Sequence, residues 1–197
     1  MERALIGAGG FAREIKYHMG NPHMKMFVDD VYYKENSENI YPLSKFDETQ
    51  YEVIVAIANP SERFNMVDRL PKKTKYFTFI HKSVQILDKS IKIGSGSIIC
   101  AGCILTTNIK IGNHCHLNLQ TTIGHDCVIG DYFTTAPGAK ISGNCNIGSR
   151  VYVGTNSSIR EKINICDNVI IGLNSGVVKN IFEFGTYVGN PCKKLIK

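Results

Sequence analysis

Ile93, Ile99, Leu105, Ile111, Leu117, Ile123, Ile129, Thr135, Ile141, Ile147, Val153, Ile159, Ile165, Ile171 and Val177 follow one another at intervals of six residues. Every member except Thr135 is isoleucine, leucine or valine. A period of six is neither helical (about 3.6) nor simply alternating (about 2). It fits an array of short flat strands joined by tight turns, each strand sending one large aliphatic side chain into a narrow core. Small residues recur two positions ahead of the aliphatic, at Ser97, Cys103, Cys115, Thr121, Cys127, Ala139, Cys145, Ser157 and Ser175, where they fill the taper. Glycine follows the aliphatic at 94, 112, 124, 130, 148, 154 and 172; with asparagine, it is expected to supply unusual turn dihedrals. Three strands make one coil, and about five stacked coils bury a continuous aliphatic ladder.

Residues 1–80 have a different texture. Ala4-Leu5-Ile6 reads as a buried strand running into Gly7-Ala8-Gly9-Gly10-Phe11-Ala12 and a helical pattern to about Met19. Met26-Phe27-Val28 is a second strand ending on Asp29-Asp30, and Tyr51–Ile57 a third. Asn59-Pro60 opens another helix, with asparagine as N-cap and proline in the first turn. Tyr76-Phe77-Thr78-Phe79-Ile80 reads as a last strand. The βαβ…βαβ order predicts a small parallel sheet flanked by helices. The expected division is a Rossmann-like α/β domain over 1–82 and a parallel β-helix over 83–197.

Composition narrows the function. The chain of 197 residues is 43% hydrophobic and 20% charged, as in ordinary globular proteins. It has no run of about 18 apolar residues, so no membrane span is expected, and no secretory leader is expected either. A net charge of +6 suits phosphate-rich small ligands. Without basic stretches interleaved with aromatics, nucleic-acid binding is not expected. Of the seven cysteines, four (Cys103, Cys115, Cys127, Cys145) fall on the small core position and read as buried hydrophobes. No metal site is expected, and free thiols suit a cytoplasmic location. Lys72-Lys73-Lys75 and Lys193-Lys194-Lys197 read as solvated clusters.

Two constellations carry chemistry. Gly7-x-Gly9-x-x-Ala12 after a strand, with Asp29 and Asp30 about 20 residues on, fits a phosphate-cradling loop with a ribose-binding acid. A nucleotide or nucleotide-sugar pocket, a purely structural turn and a nicotinamide site all fit that pattern. The last is disfavoured by the short α/β segment and the absence of a hydride-transfer site. The second is Ile123-Gly124-His125-Asp126-Cys127, which sets a histidine beside an acid on a turn; imidazole is the usual proton acceptor near neutral pH. His18, His23 and His114 read as surface histidines, and His116 is ambiguous.

The whole chain resembles the bacterial sugar O- and N-acetyltransferases of the sialic-acid O-acetyltransferase (NeuD-like) group, within the hexapeptide-repeat superfamily. It looks nearest to the branch that acetylates nucleotide-linked amino sugars. The resemblance is carried by Gly7-Ala8-Gly9-Gly10, Val28-Asp29-Asp30, Ala56-Ile57-Ala58-Asn59, Ile80-His81-Lys82-Ser83, Gly124–Asp131, Pro137-Gly138-Ala139, Ser142-Gly143-Asn144 and Val188-Gly189-Asn190-Pro191. It implies a left-handed β-helix that binds acetyl-CoA between the subunits of a homotrimer, and an N-terminal domain that binds the nucleotide sugar. It also implies His125 as general base with Asp126 tuning it. Gly9, Gly10, Phe11, Asp29, Asp30 and Ala58 fall at nucleotide-sugar positions, and Thr134, Gly143, Thr155 and Leu173 at acetyl-CoA positions. Many relatives carry a second histidine where this chain has Thr134. O-acetylation of a sialic acid or other sugar hydroxyl, and a non-enzymatic nucleotide-binding scaffold, are the competing readings. O-antigen, capsule and glycoprotein pathways all stay open.

Overall fold

The computed structural model describes residues 1–196; Lys197, the last member of the C-terminal lysine cluster, lies outside them. Five strands, β1 (Glu2–Ile6), β2 (Met26–Val28), β3 (Ile40–Pro42), β4 (Tyr51–Val55) and β5 (Lys75–Tyr76), form a sheet in the order β3-β2-β1-β4-β5. All its pairings are parallel. Helix α1 (Gly10–His18) follows β1 and α2 (Pro60–Arg69) follows β4. The Asn59 side chain accepts from the Ser61 and Glu62 amides, capping α2 as the sequence indicates. The expected strand Tyr76–Ile80 is divided. Tyr76 stays in this sheet, whereas Phe79–Ile80 pairs with Ile98–Ile99 as the first rung of the coil.

Two-residue strands then wind into a prism with three parallel faces. One face runs through Ile98–Ile99, His116–Leu117, Thr134–Thr135 and Tyr152–Val153, the next through Ile104–Leu105, Thr122–Ile123 and Lys140–Ile141, and the third through Lys110–Ile111, Val128–Ile129 and Asn146–Ile147. Each residue pairs with the one a coil away, as Ile111 does with Ile129 and Thr122 with Lys140. The first face ends in a hairpin of Gly185–Val188 and Lys193–Lys194. The six-residue aliphatics and the four cysteines share one continuous core.

The turn glycines act differently from the expectation. Those that follow the aliphatics have no positive φ. They are small because neighbouring coils touch: a Cβ on Gly112 would lie 2.8 Å from the Gly130 carbonyl carbon. The left-handed residue sits two positions further on, at Gly96, Gly102, Asn108, His114, Gln120 and Asp126, and so on in sixes to Asn174. Asparagine and aspartate tolerate that conformation through local hydrogen bonding, which is why they recur there.

Thr135, the one break in the aliphatic ladder, is fully buried. Its hydroxyl accepts from the Asn118 amide (3.0 Å) and lies 2.7 Å from the Thr121 hydroxyl, which donates to the Asn118 carbonyl (2.8 Å). Threonine thus satisfies a part-buried turn amide from inside the core. Thr135→Val is isosteric and more apolar, yet it orphans the Asn118 N–H. Urea unfolding should show a loss of about 1–3 kcal/mol.

Candidate functional site

The α/β unit is fastened to the prism by Arg63 of α2, which is fully buried. Its guanidinium donates to the carbonyls of Ile57 (2.5 Å), Ala58 (3.1 Å), His114 (2.8 Å) and Tyr132 (2.9 Å) and to the Thr134 hydroxyl (2.7 Å). It also donates to Nδ1 of His116 at 3.1 Å, since arginine has nothing to accept with. Burial pushes Arg63 down to about 10, which leaves it charged at neutral pH. The same contact corrects the reading of His114 as a surface residue. His114 is buried, stacked on Tyr132 with ring centroids 5.2 Å apart and meeting Tyr76 edge-on at 4.6 Å. Burial first, then Arg63, pushes it down to about 4, so it is neutral.

Beside this junction the α/β unit holds a cavity of about 870 Å³. Gly7, Gly9, Arg13, Asp29, Lys34 and Arg69 are among its walls. It opens at the start of α1, whose N-cap Gly9 offers no side chain to the first amides. The Asp29 carboxylate is paired with Arg69, which holds it below the usual carboxylate range. Of the other residues expected to meet a nucleotide sugar, Gly10 opens α1. Phe11 packs on His116 with ring centroids 5.2 Å apart. The Asp30 carboxylate accepts from the Ser44 amide at 3.0 Å, and the Ala58 carbonyl is taken by Arg63 and Thr134.

His125 stands half-exposed on the edge between the second and third faces. Its Nδ1 is 2.7 Å from Asp126 Oδ2, and the other oxygen of that carboxylate accepts from the Asn108 side-chain amide at 2.7 Å. Asn108 first and then His125 hold Asp126 below the usual carboxylate range. An ionised carboxylate accepts only, so Nδ1 carries the proton and Nε2 is left as the basic atom. The imidazole lies over Gly143, where a Cβ would come within 2.6 Å of Nε2.

His125, Asp126 and Gly143 are therefore brought together as the sequence suggested. Thr155 and Leu173 are not in that group. They stack on successive coils at a different edge, between the first and second faces, both exposed. Thr134 departs from its expected place on a cofactor groove. It is buried at the domain junction, accepting from Arg63 and donating to the Ala58 carbonyl at 3.1 Å, so its one proton is committed within the chain. Arg63, Asn108 and Asn144 were missed. Stepping eighteen residues either way from Asp126 finds the last two, because that step returns to the same edge; Arg63 carries no such signal.

This coil, with a histidine–aspartate pair on one edge and a parallel α/β unit on one face, has the architecture of the hexapeptide-repeat acyltransferases. Residues 4–70 match the family described as the PglD N-terminal domain. Over 150 residues the chain is 35% identical to a GDP-perosamine N-acetyltransferase of Escherichia coli O157:H7, covering 69% of this chain and 67% of that one. The structure of WeeI from Acinetobacter baumannii AYE superposes with a TM-score of 0.87 at 31% identity, over 99% of this chain and 100% of that one. PerB from Caulobacter crescentus, solved with CoA and GDP-perosamine, shares the fold at 21% identity, with a TM-score of 0.86 over 99% of this chain and 97% of that one. The chain belongs to the hexapeptide-repeat acetyltransferases of nucleotide-linked amino sugars, whose coil is left-handed.

Gly143→Ala tests the contact under the histidine. The added methyl should drive the imidazole off its seat and lower kcat by about 100-fold, the scale of a misplacement of roughly 1 Å. Little change in thermal stability would confirm that the loss is local; an unchanged kcat would show that the imidazole is free to sit elsewhere.

Proposed function

We propose that this protein transfers the acetyl group of acetyl-CoA to the amino group of a nucleotide-linked amino sugar, with His125 as general base. The observation that carries this reading is the bare Nε2 of His125, held over Gly143 by a carboxylate on the far side of its ring. The sugar amine, docked against that nitrogen, attacks the thioester carbonyl carbon. A carbon–nitrogen bond forms, the carbon–sulfur bond breaks, and His125 takes the amine proton and passes it to the departing thiolate. Asp126 supports the charge that the ring carries in between. The Gly143 amide, under the imidazole, is the proposed donor to the developing oxyanion. Most of the acceleration comes from holding amine and thioester together. Cys127 is no rival nucleophile: it is buried, and the neighbouring thiol together with burial pushes its own thiol up.

The nucleotide sugar is proposed to enter the cavity of the α/β unit, with its diphosphate at the start of α1 and its ribose near Asp29. For acetyl-CoA, a homotrimer is supported by the separation of the two edges. Thr155 and Leu173 cannot face the His125 of their own chain, but a neighbouring copy can bring its edge alongside. Leu173 is 71% exposed, an apolar residue that such a neighbour or the cofactor would cover. No helix among the described residues is long and apolar enough to cross a membrane, and cytoplasmic work on surface-glycan precursors is the setting proposed.

CoA-thiol release from acetyl-CoA, measured against a panel of nucleotide-linked amino sugars, checks the reaction. One amine should give release, and His125→Ala should lower its rate by about 10²–10⁴. Release with sugar hydroxyls alone would assign O-acetylation instead, and release with neither would leave a binding scaffold. Light scattering at micromolar concentration should give three times the 21.9 kDa chain mass; a single-chain mass would count against the shared groove.

A further inference from the structure

We propose that Asn108, one coil below the histidine, is a positioning residue that selects the tautomer of His125 by pinning Asp126. The inference rests on the reading of His125 as the base. Asn108 and Asp126 occupy the same left-handed step of consecutive coils, with φ of 49° and 60°. A carboxylate can only accept, so the Asn108 nitrogen faces it, and the 2.7 Å contact holds Oδ1. With Oδ1 held, Oδ2 lies 2.7 Å from Nδ1 of His125. Asn108 is itself anchored from below. Its backbone amide donates to Ser90 Oγ (2.9 Å), which donates to Asp88 (2.6 Å), and the Thr107 hydroxyl donates to the same carboxylate.

The coil above supplies the competing influence. The Asn144 backbone amide donates to the His125 carbonyl (2.7 Å), and its side-chain nitrogen lies 3.5 Å from Nδ1. That amide is a donor. Were Asp126 to swing away, Asn144 would close on Nδ1, make it an acceptor and move the ring proton to Nε2. The imidazole would then present a proton to the substrate amine instead of a lone pair. Asn108 therefore decides which of two neighbours owns Nδ1. Charged groups on this edge include Asp126 beside the ring, Asp88 and Lys89 on the coil below Asn108, and Glu161 and Lys162 on the coil above Gly143, where the Lys162 amide donates to the Gly143 carbonyl.

Two substitutions separate this role from a turn-forming one. Asn108→Gly keeps the left-handed step without strain and removes the donor. Asn108→Asp keeps the shape and replaces the donor with an acceptor. Both should lower kcat by about 10- to 100-fold with KM for both substrates unchanged, the aspartate at least as much as the glycine. Nitrogen NMR of the neutral imidazole, at about pH 9 and assigned with His125→Ala, should show the proton on Nδ1 in the parent and on Nε2 in the glycine variant. An unchanged melting temperature confirms the fold, and if one variant fails to fold the other still decides. Parent-like kcat and tautomer in Asn108→Gly would overturn the proposal, as would a loss confined to KM with the tautomer retained. If the parent turns over no amino sugar while the tautomer still moves, the acetyl-transfer reading fails and the positioning role stands.

Discussion

Everything in this molecule that concerns two substrates depends on one buried cation. Arg63 sits at the joint of the α/β unit and the coil with no carboxylate beside it among the described residues, and burying a guanidinium alone would cost several kcal/mol. The cost is offset because its donors are met by carbonyls from both sides of the joint, by the Thr134 hydroxyl and by a neutral His116. Those partners are fixed by a strand end, a helix-capping loop and successive turns of the coil. The two halves are thus locked in one register, and with them the distance between the cavity of the α/β unit and the edge that carries His125. The histidines of the joint fit the same account: burial keeps His114 and His116 neutral, so neither adds a second charge beside the guanidinium.

The edge that carries His125 is built on the opposite principle. It is open to water, and its order comes from repetition. Each coil contributes one left-handed residue to each edge, and on this edge Asn108, Asp126 and Asn144 come into a column. A polar chain that would be poorly held on an isolated loop is held here because every member stands on a coil whose amides are already paired with the next. An exposed imidazole is thereby oriented without being buried.

The fold was legible because a six-residue period has one packing solution, and the cap at Asn59 because its partners are local. His125 and Asp126 stand out in the sequence as an imidazole beside an acid on a turn, and Gly143 only through the family resemblance; the eighteen-residue return to one edge is what sets it under the ring. What stayed hidden depends on where the α/β unit docks. Outward positions such as His114, His116 and Thr134 look alike in sequence whether solvent or another domain covers them, so His114 passed for a surface residue and Thr134 for a cofactor contact. Arg63 is one of several charged residues on an amphipathic helix, and only the docked geometry separates it from Arg69. The glycines were seen in the right places for a different reason, coil-to-coil contact, because spacing reports that a side chain is missing and not why.

The prism also constrains how such a chain can change length. Partners a coil apart are eighteen residues apart, as Ile111 and Ile129 are, spread over three faces. Gaining or losing a whole coil shifts everything downstream along the axis and leaves each residue on its own edge. Gaining or losing a single six-residue unit between Leu105 and Gly124 would preserve the aliphatic core equally well. It would, however, turn the rest of the prism by a third of a revolution, carrying His125 to another edge and Thr134 off the face that Arg63 grips. A whole coil therefore keeps every edge aligned, and spares the joint when it is added beyond the coils that Arg63 grips, whereas shorter steps that packing alone would accept break the alignment itself.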